Sequence, residues 1–259
     1  MLDIYQEIIK LLTDGGEAAL ATVISAGDST PRKIGSRMLV RADGSILGTI
    51  GGGAVELETI KIAAAVIRSG KAEKHQFVLT PEKELGMTCG GEMEIFIEPI
   101  QPAPTLYLIG AGHIALALAK MAKMLNFRVM VVDERPAFAT KERFPEAEMV
   151  LAEDFSSAFL KLKIEPHSYI VIVTHNHAHD QEALEWALHT PARYIGMIGS
   201  RNKVKTLFKN LAAKGVDQKL LDQVHSPIGL DISAETPEEI AVSILAEMIK
   251  VKRTPSTGA

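Results

Sequence analysis

Leu106-Tyr-Leu-Ile-Gly110-Ala-Gly112-His113-Ile-Ala115 decides the fold. An apolar, β-rich run enters a G-x-G-x-x-A turn, and a helical pattern, Ala115–Leu125, leaves it. In such a strand–turn–helix unit Gly110 permits the tight turn, Gly112 lets backbone approach a pyrophosphate, and small Ala115 allows close helix–strand packing. The helix start, with His113 in it, presents backbone NH groups to the phosphates. Asp133 closes the next apolar run, Arg128–Asp133, 23 positions after Gly110. A carboxylate there can accept a ribose hydroxyl, which favours NAD, while Arg135 keeps NADP open. The alternative is a domain of the same shape with no dinucleotide in it, because fold does not fix function.

Outward from this unit, Met149–Ala152, Tyr169–Thr174 and Tyr194–Ile198 are further short β-rich runs, and Gln181–Leu188 is a further helical pattern. Strand–helix alternation predicts an α/β domain of the Rossmann type, with a doubly wound parallel sheet, over residues 104–259. Upstream, Pro99, Pro102 and Pro104 bar a helix and withhold ladder donors, which marks a linker. Residues 1–100 read as a small α+β domain. Ile4, Ile8, Leu11 and Leu12 have helical spacing, Ala18–Ile24 reads as a strand, and Gly51-Gly52-Gly53 opens a helix to about Ser69. Met38–Leu47 reads as a hairpin on a type I′ turn at Asp43-Gly44. His75–Leu79 and Met93–Ile97 are strands flanking a loop with Cys89.

Composition narrows the function classes. The 259 residues are 47% hydrophobic and 23% charged, which suits a globular chain of one or two domains. Lys and Arg number 28 against 32 Asp and Glu, a net charge of −4, so general nucleic-acid binding is not expected. One cysteine permits no intrachain disulfide and points to a cytoplasmic chain. The opening MLDIYQEIIK has no basic stretch, so no signal peptide is expected, and no apolar run reaches the ~18 residues of a membrane helix. A homodimer is the expected assembly on base rates.

Four further segments hold chemistry-bearing residues. Thr174-His175-Asn-His177-Ala-His179-Asp180 follows an apolar run, and imidazoles with a carboxylate suit zinc or iron. A ligand-facing polar loop at the end of a parallel strand is the other reading, and a metal-dependent hydrolase is a rival function. Arg32, in a basic stretch that continues to Arg41, and Gly51-Gly52-Gly53 form a candidate anion cradle, set against a mobile loop with solvated charges. Cys89, followed by Gly90 and Gly91, is a small buried hydrophobe or a thiolate able to hold a soft metal. Ser200 is a natural helix N-cap, and with Arg201 and Lys203 makes a second anion site or an ordinary first turn.

Together the segments GDSTPRKIGSRMLV, GTIGGGAVE, GMTCGGEMEIFIEP, LIGAGHIA, VVDERPAF, VTHNHAHD and YIGMIGSRNK resemble the XdhC/CoxI family of molybdenum-enzyme accessory proteins, in the family's order. The resemblance implies a CoxI-like N-terminal domain followed by a Rossmann domain. It implies a chaperone that binds molybdenum cofactor (molybdopterin), assists its sulfuration with a cysteine desulfurase, and inserts it into a xanthine dehydrogenase-type enzyme. Cys89 and Gly90 match the family's Cys-Gly-Gly position, the leading candidate for contacting molybdenum or its sulfur. Gly51, Gly52 and Gly53 match its glycine loop, and Gly110, Gly112 and His113 its Rossmann signature. Asp133 and Arg135 match the end of its second strand, and His175 and Asp180 a common polar loop. His177 and His179 enrich that loop beyond the family pattern. A carrier role outranks catalysis, with an NAD(P)-dependent oxidoreductase and a nucleotide-sensing module as alternatives.

Overall fold

A computed structural model describes residues 2–27, 30, 32–79 and 91–254. Cys89 and Gly90 lie outside the described residues. The chain divides into two compact units, one running to Pro102 and the other from Ala103 to Thr254.

The first unit contains α1 (Leu2–Thr13), β1 (Ala18–Ala26), β2 (Arg37–Arg41), β3 (Ile46–Gly48), α2 (Gly53–Ser69), β4 (Glu73–Leu79) and β5 (Gly91–Ile100). The strands form one antiparallel sheet in the order β3-β2-β1-β5-β4. Period-two alternation sorts its side chains. Ala18, Leu20 and Leu39 pack with Ile4 of α1, while Ala19, Ala21, Val23, Met38 and Val40 join Val55, Ala63 and Val66 of α2. The β2–β3 hairpin corrects one expectation. Val40 pairs with Ile46 and Arg41 bonds Ser45, so the loop has three residues, not two. Only Gly44 takes a positive φ (83°), whereas a type I′ turn needs two. The Asp43 carboxylate accepts the Ser45 NH at 2.9 Å, a local bond that suits the wider loop.

The second unit contains β6 (Thr105–Ile109), α3 (His113–Met124), β7 (Arg128–Asp133), β8 (Met149–Ala152), α4 (Phe155–Phe159), β9 (Tyr169–Ile172), α5 (His177–Ala187), β10 (Tyr194–Met197), α6 (Arg201–Ala213), α7 (Gln218–Leu221) and α8 (Pro237–Arg253). Its five strands are all parallel, in the order β10-β9-β6-β7-β8. This is the doubly wound α/β sheet. Leu106, Leu108, Val129, Val131 and Val171 pack against α3 and α8 on one face. Tyr107, Ile109, Val132, Ile170 and Ile172 pack against α4, α5 and α6 on the other. Both faces are buried, which explains the continuous apolar runs. The strand order reverses between β6 and β9, the switch point beyond whose carboxyl ends open α/β sheets place their ligands.

Among the described residues, no helix is long and apolar enough to cross a membrane.

Candidate functional site

The site grows from the turn after β6. Gly110 has φ +110°, and a Cβ there would stand 2.4 Å from the Val173 carbonyl oxygen, so packing against the end of β9 requires glycine. Gly112 has an ordinary φ of −73°, and a Cβ would meet nothing within 4 Å. Nothing in the described chain excludes a side chain at Gly112, and the space beside it is open. No side chain caps the start of α3 and its first turn holds no acidic residue, so the positive helix end faces outward beside exposed His113.

Two side chains fasten this turn. Asp133, fully buried, accepts the Ala111 NH at 2.7 Å through Oδ2. Its remaining acceptor capacity goes to Arg135: the guanidinium donates at 2.8 Å to each oxygen, and the Arg135 NH adds a bond at 3.0 Å. Burial pushes the Asp133 carboxyl up, but the Arg135 and backbone bonds outweigh it and hold the pKa below the usual carboxylate value. Arg143 donates to the Ala111 carbonyl at 3.1 Å and the Phe138 carbonyl at 2.9 Å. The carboxylate expected to accept a ribose hydroxyl is thus turned inward, with both oxygens bonded to Ala111 and Arg135. Arg135 is likewise committed, with its guanidinium 3.9 Å over the Phe138 ring.

The histidine segment is not a loop. Asn176 accepts the Ala178 NH at 3.0 Å and caps α5, which starts at His177 and places His179 and Asp180 on the helix. Residues two apart on a helix diverge by about 200°, so His177 and His179 cannot share an ion. Asp180, at 1% side-chain exposure, bonds Lys203 Nζ at 2.5 Å and the Thr174 hydroxyl at 2.6 Å. It is a buried pin between β9, α5 and α6, and it removes Lys203 from the proposed anion site. His175 and His179, four apart, do converge. Both face Glu134, which follows β7, with Nε2 to Oε1 distances of 3.6 and 3.0 Å. One donor atom from each of these three residues lies within 4.8 Å of the others. Ser200 caps α6 by accepting the Lys203 NH at 3.3 Å, and Arg201 is exposed beside it.

In the first unit, Gly51, Gly52 and Gly53 all take positive φ and lead into α2. Their nest already holds an anion from the chain itself. Glu56 Oε1 accepts the Ile50 NH at 3.1 Å, the Gly52 NH at 2.9 Å and the Thr49 hydroxyl at 2.5 Å. Burial raises the Glu56 pKa, but these bonds prevail and it lies below the usual value. The cradle expected there for an external phosphate is filled by the Glu56 carboxylate. Exposed Arg32 remains a cation of the preceding loop.

Residue-level reasoning missed Glu134, Arg143 and Glu56. Glu134 carried a signal as the acidic residue beside Asp133 at a strand end; Glu56 carried one as a carboxylate in the first turn after three glycines.

A glycine turn at the switch point of a parallel sheet, with a separate antiparallel unit before it in the chain, defines a two-unit α/β protein with a Rossmann-type second unit. Residues 106–248 match the XdhC Rossmann domain and residues 11–78 match the XdhC and CoxI family. The chain belongs to the XdhC and CoxI family. It is 37% identical over 99% of its length to the uncharacterized protein YqeB of Escherichia coli, and spans about half (48%) of that relative. It is 27% identical to a probable xanthine dehydrogenase subunit of Bacillus subtilis, covering 94% of this chain and 96% of the relative. It is 21% identical to the molybdenum cofactor insertion chaperone PaoD of E. coli, covering 94% and 86%. A crystal structure of a xanthine dehydrogenase from Bacillus halodurans shares the fold, with a TM-score of 0.54 and 24% identity over 98% and 97% of the two chains.

Proposed function

We propose that this chain is an accessory protein of molybdenum hydroxylases: it binds molybdenum cofactor, assists its sulfuration with a cysteine desulfurase, and inserts it into a xanthine dehydrogenase-type enzyme. The observation that carries this reading is the alignment over 94% of the chain with a relative named as a molybdenum cofactor insertion chaperone. The cargo is a phosphate-bearing pterin, and the open turn at Gly112 with the uncapped start of α3 suits an anion. Arg32 is a second cation for it. Cys89, with Gly90, is the proposed contact to molybdenum or its sulfur, since thiolate suits a soft centre. A cytoplasmic homodimer belongs to the same proposal.

The oxidoreductase alternative uses Gly110, Gly112 and Asp133, and the bonding of the Asp133 carboxylate to Ala111 and Arg135 disfavours its ribose contact. The test is reconstitution. A cofactor-free xanthine dehydrogenase-type enzyme is incubated with molybdenum cofactor, with and without this chain. Activity should recover faster with wild type than with Cys89→Ala; equal recovery without the chain would contradict insertion.

A further inference from the structure

We infer that Glu134, His175 and His179 form a binding site for a divalent transition-metal ion of the zinc class, distinct from any metal carried as cargo. Three independent elements build it. Glu134 follows β7, His175 follows β9, and His179 lies in the first turn of α5. Strands β7 and β9 flank β6 on either side, so these side chains meet across the end of β6, above the glycine turn.

The spacing suits coordination. Donors about 2.0–2.1 Å from a tetrahedral ion stand roughly 3.3 Å from one another. Glu134 Oε1 lies 3.0 Å from His179 Nε2 and 3.6 Å from His175 Nε2, on either side of that edge length. Two imidazoles and one carboxylate are a donor set zinc accepts, leaving a position for water or an oxygen anion. The other ring nitrogen of His179, Nδ1, stands 3.6 Å from the Glu182 carboxylate, beyond hydrogen-bond length but near enough for a small side-chain shift to make it the orienting partner of a metal-bound imidazole. The His179 ring also packs 5.1 Å from Phe155, and the Asn176 cap sets where α5 starts.

A plain Glu–His ion pair is the competing account, and it predicts different behaviour. Only a metal site binds stoichiometrically and depends on both histidines together. His177, two residues before His179 on α5, points away from it and stays outside.

The test uses the full chain stripped by a chelator and titrated with Zn(II) alone, with Co(II) as the spectroscopic probe. Wild type should bind stoichiometrically and give a Co(II) ligand-field spectrum that excess Zn(II) removes. Glu134→Gln, His175→Ala and His179→Ala should each weaken binding at least ~10-fold, Glu182→Ala should weaken it about 10-fold, and His177→Ala should leave it unchanged. Glu134→Gln is nearly isosteric, so it remains decisive if a histidine variant fails to fold. No stoichiometric binding by wild type, or equal losses in His177→Ala and His179→Ala, would overturn the assignment. Because the readout is Zn(II) binding, its failure leaves the cofactor-carrier reading standing.

Discussion

A methyl group added at Gly110 would lie 2.4 Å from the Val173 carbonyl oxygen, whereas at Gly112 it would meet no atom within 4 Å. The two substitutions should therefore separate folding from binding. Gly110→Ala should lower stability by at least ~2 kcal/mol in urea unfolding, through strain and overlap together. Gly112→Ala should stay within about 0.5 kcal/mol of wild type yet load less molybdenum cofactor; unchanged loading would remove this turn from the site. Glu56 offers a pH test. Its folded pKa lies below the ordinary 4.5, so its contribution is complete above that value and fades as pH falls through the folded pKa. The stability gap between wild type and Glu56→Gln should be constant near neutrality and shrink below pH 4.5. A gap that widens in acid would refute the capping role.

The strands and helices were legible where side-chain periodicity is strong: apolar runs at β6, β7, β9 and β10, and the helical pattern of α3. Element starts were less so, because a cap is one side chain whose bond is not visible in a pattern. Asn176 starts α5 four residues before the expected Gln181, which turns a supposed histidine loop into a helix and splits its histidines between faces. Thr236 caps α8 in a capping box with Glu239, and Pro237 follows it. Removing either cap, as Asn176→Ala or Thr236→Ala, should cost about 1 kcal/mol in urea unfolding. Only Asn176→Ala should also weaken Zn(II) binding, because only α5 presents His179. Equal Zn(II) affinities for both variants would mean that the α5 start does not position the site.

At the scale of the molecule, the strand–helix alternation and the glycine fingerprint foretold a doubly wound sheet, and the family followed from segments in order. What stayed hidden was the meeting of Glu134 with His175 and His179, since it depends on β6 lying between β7 and β9, a pairing no local pattern encodes. The same holds for Asp133, whose fingerprint role could be read from spacing while its capture by Arg135 and the Ala111 NH required the folded turn. The most direct measurement is the molybdenum and pterin content of the protein purified anaerobically from cells that make the cofactor. The account predicts near-stoichiometric amounts of both in wild type and a marked loss in Cys89→Ala. Wild-type protein that carries neither would contradict it.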